Sequence, residues 1–416
     1  MVQGYRVQAA VASHNIVGAS GSCSSSTMKV VFVHLDLGIG GAEMLVVNAA
    51  VAAKEAGHEV IIYTSHHDPE RCFEDTKRNG VLAGLIRVRG DWLPRHLFFG
   101  RFTALCAVCR MLWLSLCVLW SERSVGAVFC DGVSAPVPLL RLAGPVLFYC
   151  HFPDKLLCVK RGSLFKRLYR VPLDMVEEFT TGCATSIAVN SKFTAEIFRE
   201  AFSNLGRRFS APNSGHSPGV NAQTEGKKLR VLYPPTNVKA YAERSDDDRP
   251  SGETIGPVVS LNRFERKKHL HLAVEALGWA IREMGQEEAF RKGLRLIIAG
   301  GYDERVSENV EHLQELKACV ESLGLEACVE FRRNIGDEER STLLRQASCV
   351  LYTPSNEHFG IVPVEAMCSE APVIAANSGG PLETVVDGKT GFLCDPTAEA
   401  FGSAILKLAR DREMGV

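Results

Sequence analysis

Residues 348–366, Ser-Cys-Val-Leu-Tyr-Thr-Pro-Ser-Asn-Glu-His-Phe-Gly-Ile-Val-Pro-Val-Glu-Ala, constrain the fold more tightly than any other stretch. Cys349 to Tyr352 is a short apolar run that reads as a buried strand. Pro354 and Ser355 end it. Pro363 suits the first turn of a helix, where a missing N–H costs nothing. The stretch is therefore strand, loop and helix, with Glu357 in the loop and Glu365 inside the helix. A helix start carries unpaired N–H groups and a partial positive charge. Gly360, Ile361 and Val362 stand where those groups face an anion, and Gly360 lets the backbone come close. Two surface glutamates at this spacing are commonly just solvated charges. Beside an anion site they make sense if they grip hydroxyls, and a sugar diphospho-nucleotide supplies both the phosphates and the hydroxyls.

A chain of 416 residues has room for two or three domains. With a net charge of −1 and a pI near 6.9, nothing points to a nucleic-acid surface. The 14 cysteines form no two C-x2-C pairs, since Cys106 and Cys109 alone have that spacing and lie on an apolar helix, and most others fall in apolar runs. That pattern predicts reduced, buried thiols in a cytosol-facing protein, with neither a disulfide framework nor a zinc site. No cofactor is called for.

Residues 1–27 are Ser-rich and aperiodic and read as a disordered extension without a signal peptide's apolar core. From Lys29 the chain alternates short apolar runs with helix-length periodic segments. Lys29–His34, the turn Gly38-Ile39-Gly40-Gly41, a helix to about Lys54 and a strand to Thr64 form a βαβ unit. The glycines do not fit G-x-G-x-x-G, which weakens a nicotinamide dehydrogenase reading. Tight turn packing and backbone approach to a ligand remain equally open for Gly40 and Gly41. Strands at 125–130 and 146–149 follow, separated by a helix over 133–142. The second runs into Cys150-His151-Phe152-Pro153. His151 thus stands at a strand end, where α/β folds place functional groups, although a lone histidine is more often structural.

The first domain spans 28–240, with a mobile insertion at 203–228, and the polar stretch 241–256 is a linker. A second α/β domain, 257–416, repeats the alternation. Its first strand ends in Asn262-Arg263-Phe264-Glu265-Arg266-Lys267-Lys268, with a helix from about Lys268. Cations at a helix start oppose its dipole, and that misfit argues for an anionic ligand such as a pyrophosphate at Arg263 and Lys268.

Two stretches suggest a membrane. Residues 102–120 are almost wholly apolar, interrupted by Arg110 and Ser115. Without a polar face this helix is either core or in contact with one leaflet of a bilayer. Lys155, Lys160, Arg161, Lys166, Arg167 and Arg170 follow, as a solvated face or as attraction to an anionic membrane or a lipid-linked diphosphate.

Six segments, 34–43, 90–95, 147–154, 261–268, 299–306 and 352–363, together carry a resemblance. The chain resembles the retaining GT-B glycosyltransferases of family 4. Among them it is similar to the α-1,3/1,6-mannosyltransferases of the dolichol-linked oligosaccharide pathway. The resemblance covers about residues 28–411. It implies an α/β fold of two Rossmann-like domains with parallel sheets facing a central cleft. It implies GDP-mannose as donor, a dolichol-diphosphate-linked oligosaccharide as acceptor, and the cytosolic face of the endoplasmic reticulum membrane. By residue, it implies that Gly40 and Gly41 lie near the donor phosphates and His151 touches the donor sugar. Arg263 and Lys268 would bind the diphosphate with the 360–362 amides, beside Phe359. Glu357 would hold the sugar and Glu365 the ribose, with no metal and no D-x-D motif at a strand end. The family continues with a final helix that crosses back onto the first domain, which a chain ending at Val416 is not expected to supply. A non-catalytic sugar-nucleotide-binding protein of the same fold is the alternative.

Overall fold

The computed structural model describes residues 27–97, 102–157, 164–205, 229–236, 241 and 255–410, with backbone alone at 164–167 and 169. The chain forms two compact units, Met1–Pro235 and Thr236–Val416. The expected extension, most of the insertion and most of the linker lie outside the described residues.

The first unit is built on seven parallel strands in the order β3-β2-β1-β4-β5-β6-β7. These are β1 (Lys29–Leu37), β2 (Glu59–His67), β3 (Ile86–Val88), β4 (Ala127–Asp131), β5 (Val146–Cys150), β6 (Ser186–Val189) and β7 (Leu229–Val231). The strands are near-continuous apolar runs because helices cover both faces of a parallel sheet. Val31, Val33, Val128, Phe148 and Ile187 pack under the helix Thr103–Ser121 on one face. Phe32, Ile62, Phe129 and Tyr149 pack under the helix Gly41–Glu55 on the other. The helix expected over 133–142 is only Val137–Leu140.

The helix Thr103–Ser121 does have a polar side, and that side faces inward. Arg110 and Ser115 are both buried. The Arg110 guanidinium makes two hydrogen bonds to Asp36, one of them 3.0 Å long. Ser115 Oγ donates to the Leu112 carbonyl at 2.7 Å. Of the two residues that look like interruptions of an apolar helix, Arg110 thus pins it to the end of β1, while Ser115 bonds back to its own helix. A buried guanidinium needs a partner there, because its desolvation is otherwise uncompensated.

The basic run is also not uniformly solvated. Arg170 is buried and bonds Asp154 at 2.9 Å and Asp174 at 3.1 Å. Lys155 Nζ donates to the Ala201 carbonyl and sits 4.8 Å from the Phe202 ring centre. Both residues hold the unit together, so neither belongs to a free cationic face. Lys160 and Arg161, and the side chains of Lys166 and Arg167, lie outside the described residues.

The second unit has six parallel strands in the order β10-β9-β8-β11-β12-β13. They are β8 (Val258–Leu261), β9 (Leu296–Gly300), β10 (Val329–Arg333), β11 (Cys349–Tyr352), β12 (Val373–Ala376) and β13 (Gly391–Cys394). Tyr241, the first residue of the stretch read as a linker, is buried in this unit's core with Val259, Val350 and Tyr352. Every described cysteine is a free thiol.

Both sheets are doubly wound. From β1 the chain proceeds to β2 on one side and later to β4 on the other, and from β8 it does the same with β9 and β11. At such a point the connections diverge and leave a crevice beyond the carboxyl ends of the two strands. Open α/β sheets bind ligands there.

Candidate active site

In the second unit the crevice lies between β8 and β11, which pair directly. Arg263 and Lys268 follow β8, and Glu357 follows β11. Thr353 Oγ1 donates to the Lys268 carbonyl at 2.7 Å and ties the two loops together. Lys268 Nζ then donates to Glu357 Oε2, forming a mostly buried ion pair. Burial alone would raise the Glu357 carboxyl. The Lys268 charge and hydrogen bond outweigh that and hold it below its ordinary value.

The dipole argument for these cations needs correcting. A 3-10 turn, Arg266–Lys268, precedes the helix, which starts at Leu270 after His269 in the left-handed region. Each cation also has an acid. Arg263 pairs with Glu265 at 3.0 Å, Lys267 with Glu265 at 3.0 Å, and Arg266 with Glu311 and Glu315 at 2.8 and 2.6 Å. Lys268 is the one of these four that reaches across to the other loop.

The helix Ile361–Cys368 starts immediately beyond Glu357, with Gly360 as its N-cap. Gly360, Ile361 and Val362 are thus the cap and first two positions, whose N–H groups have no intrahelical acceptor. Pro363 is the third helical residue and still costs no hydrogen bond. Gly360 is required by local geometry: its φ is 80°, and a Cβ there would lie 3.0 Å from the Tyr352 ring.

Glu365 differs from Glu357. It is fully buried and accepts from Tyr241 Oη at 3.0 Å and from Arg340. Phe359 is buried as well. Its backbone and that of Glu357 lie against Gly379 and Gly380, where a Cβ would come within 2.4 Å of Glu357 O and 2.2 Å of Phe359 O. Gly380 N–H also donates to Glu357 O at 2.8 Å. The Gly-Gly turn is therefore the clamp that sets the Glu357 loop. Gly380→Ala is expected to cost about 1–3 kcal/mol in urea unfolding, because the clash is with backbone that cannot rotate away.

In the first unit the crevice lies between β1 and β4. His34 Nδ1 is 2.7 Å from Asp131 Oδ1, and His151 Nε2 is 2.8 Å from Asp131 Oδ2. An ionised carboxylate only accepts, so both imidazoles donate to it. This fixes His151 with its proton on Nε2 and turns Nδ1 away from Asp131. The Tyr149 ring packs against it at 4.9 Å between centres. Asp131 is buried, which opposes its ionisation, yet the two imidazoles hold its carboxyl far below the usual range. Burial likewise disfavours a charged His34, but the Asp131 carboxylate outweighs it and raises His34 to about 9. His34 is therefore a buried imidazolium at neutral pH.

That charge makes stability depend on pH. An unfolded histidine titrates near 6.5. The stabilisation is complete below that pH and is lost as pH rises through about 9. Thermal melts of the protein should fall over this interval, and the fall should vanish in His34→Gln.

Gly40 caps the helix Gly41–Glu55 in extended geometry, and a Cβ on it would lie 2.3 Å from Glu43 Oε2. No atom lies within 4 Å of a Cβ on Gly41. Residues Asp131, His34, Tyr241, Arg340, Gly379 and Gly380 were not singled out as site residues from sequence. A polar side chain at the end of an apolar strand was the available signal for Asp131.

Two doubly wound parallel units define a GT-B glycosyltransferase fold. Sucrose-phosphate synthase (tll1590) from Thermosynechococcus elongatus shares it, with a TM-score of 0.65 at 20% identity over 93% of this chain and 91% of that one. Anabaena Alr3699/HepE in complex with UDP and glucose matches at 0.61 and 19%, over 93% and 91%. The model of Glycosyl transferases group 1 matches residues 243–415, and that of Glycosyltransferase Family 4 matches 39–205. Alpha-1,3/1,6-mannosyltransferase ALG2 of Homo sapiens is 47% identical over 392 residues, covering 92% of this chain and 88% of the relative. The Rhizomucor pusillus protein of the same name is 44% identical over 421 residues, covering 94% and 87%. The chain belongs to this mannosyltransferase family.

Proposed function

We propose that the chain transfers mannose, with retention, from GDP-mannose to a dolichol-diphosphate-linked oligosaccharide, making α-1,3 and α-1,6 additions at the cytosolic face of the endoplasmic reticulum membrane. The reading rests on one observation, the Lys268–Glu357 pair at the sheet's switch point beside the start of the helix Ile361–Cys368.

A diphosphate bound at that helix start competes with Glu357 for the Lys268 ammonium. As Lys268 turns to the phosphates, Glu357 is freed to accept from sugar hydroxyls. Arg263, whose side chain is largely exposed and paired with Glu265, adds a second cation. Both cations and the 360–362 amides then stabilise the charge that grows on the leaving phosphate. The acceptor hydroxyl attacks C1 from the departing side. The C1–O bond to phosphate breaks, the C1–O bond to the acceptor forms, and the leaving phosphate oxygen takes the proton. His151 contacts the donor sugar. Contact between Glu365 and the ribose calls for Tyr241 to yield its place on that carboxylate. The helix Thr103–Ser121, whose outer face carries Trp113, Leu116 and Trp120, rests on the bilayer near the lipid-linked acceptor.

GDP release from GDP-mannose, with and without a lipid-linked acceptor, tests this reading, with UDP-sugars as controls. Acceptor-dependent release from GDP-mannose alone is expected. Binding without release would identify a non-catalytic sugar-nucleotide-binding protein.

A further inference from the structure

The helix Leu164–Gly182 is built inside out. Among the described side chains from 168 to 179 the exposed ones are Leu168, Val171, Pro172, Met175, Val176 and Phe179, all apolar. Leu168, Met175 and Phe179 are 76%, 68% and 71% exposed. Polar residues of the same stretch are engaged within the unit. Arg170 and Asp174 pair with each other, and Glu177 accepts from the Asp154 and Lys155 backbone N–H groups at 2.7 and 3.0 Å. A soluble helix normally does the reverse.

The stripe has apolar neighbours. Leu156 and Leu157 are exposed on the short helix Asp154–Leu157, which packs against this one. Across Val137–Leu140 lies the helix Thr103–Ser121, whose exposed residues from 105 to 120 are Leu105, Cys109, Trp113, Leu116 and Trp120. Trp120 is 90% exposed.

We infer that the outward face of the helix Leu164–Gly182 is a second bilayer-docking surface, which enters the interfacial region of an anionic membrane together with the helix Thr103–Ser121. Two observations favour lipid over protein. Protein interfaces carry a hydrogen bond for every 100–200 Å² or so, and among the described side chains from 168 to 179 the exposed ones are all apolar. The charge balance also suits anionic headgroups. All six acids between 102 and 182 are engaged: Glu122 by Lys29 and Tyr63, Asp131 by two histidines, Asp154 and Asp174 by Arg170, Glu177 by backbone N–H groups and Glu178 by the Asn204 N–H. The cations Arg123 and Arg141 are exposed at the ends of the neighbouring helices. Lys160, Arg161, Lys166 and Arg167 immediately precede the stripe in sequence. Basic residues and interfacial tryptophans beside an apolar helix face give monotopic attachment.

The inference deepens the membrane contact proposed above and is independent of catalysis. The test is flotation of the purified full chain with phosphatidylcholine vesicles, with and without phosphatidylserine. Wild type should float, more so with phosphatidylserine. Met175→Asp/Phe179→Asp should reduce the floated fraction about tenfold or more, with an unchanged circular dichroism spectrum because both sites are exposed. Trp120→Asp is the comparison. If it alone releases the protein, this inference fails while the membrane contact of Thr103–Ser121 stands. If neither substitution changes flotation, both fail. A concentration-dependent dimer dissociated by Met175→Asp/Phe179→Asp, without vesicle binding, would assign the stripe to a second copy of the chain and overturn the inference.

Discussion

Lys268→Ala is expected to lower turnover with GDP-mannose by about 10²–10³-fold, the usual cost of removing one preorganised group from a developing charge. The ammonium is the bridge between the two loops of the switch point, and Thr353 holds its backbone in place. Its loss also leaves the Glu357 carboxylate without its counter-charge. The Glu357 pKa, now held below its ordinary value mainly by Lys268, should then rise, because burial is opposed only by the smaller effects of the His358 and Lys267 charges. Lys268→Arg keeps the charge but spreads it over a planar fork, and it should recover part of the activity. The double variant Lys268→Ala/Glu357→Gln separates the two effects. It removes the unpaired charge, so stability should return toward wild type while turnover stays low. Steady-state kinetics with chemical unfolding measures both, and near-normal turnover in Lys268→Ala would remove the ammonium from the mechanism.

The second large effect is expected at Asp131. Asp131→Asn keeps the shape but removes the carboxylate that two imidazoles share. Breaking a buried ion pair by removing one partner typically costs about 3–5 kcal/mol. His34 should avoid much of that by giving up its proton, at the cost of its charge-assisted hydrogen bond. Imidazole NMR would show this directly: the His34 titration, near 9 in wild type, should move to low pH. The asparagine amide can also donate to His151 Nε2 and so select the other tautomer, placing a proton on Nδ1. Turnover should fall about 10²-fold or more if that nitrogen accepts from the sugar, a loss comparable to that of other preorganised contacts. His34→Gln should lose the same alkaline titration but leave the Asp131–His151 contact, and therefore cost less activity.

The parts of this site readable from sequence share a local signature. Glu357, Gly360 and Pro363 sit in one strand-loop-helix segment, and the apolar run, the turn residues and the proline each report on their own backbone. Lys268 and His151 were visible because they follow short apolar strands. What bound these residues was not visible. Asp131 lies 97 positions from His34, and their contact exists only because β1 and β4 pair across the switch point. Tyr241 sits at the edge of a segment polar enough to read as linker, yet it is buried on Glu365. The helices at 103–121 and 164–182 show a different limit. Periodicity locates an apolar stripe, but it cannot say which stripe faces inward. In both helices buried polar pairs took the core side, through Arg110–Asp36 and Arg170–Asp174. The charge misfit read at Arg263–Lys268 also dissolved, because acids from the helix Ser307–Ser322 and from Glu265 neutralise the neighbouring cations.

The most direct measurement of the central claim follows radiolabelled mannose from GDP-mannose into a mannosylated chitobiosyl-diphosphodolichol acceptor. The account predicts label in the lipid-extractable product, released by an α-mannosidase, with one GDP formed for each mannose transferred. Label that resists α-mannosidase, or GDP formed while the lipid stays unlabelled, would contradict it.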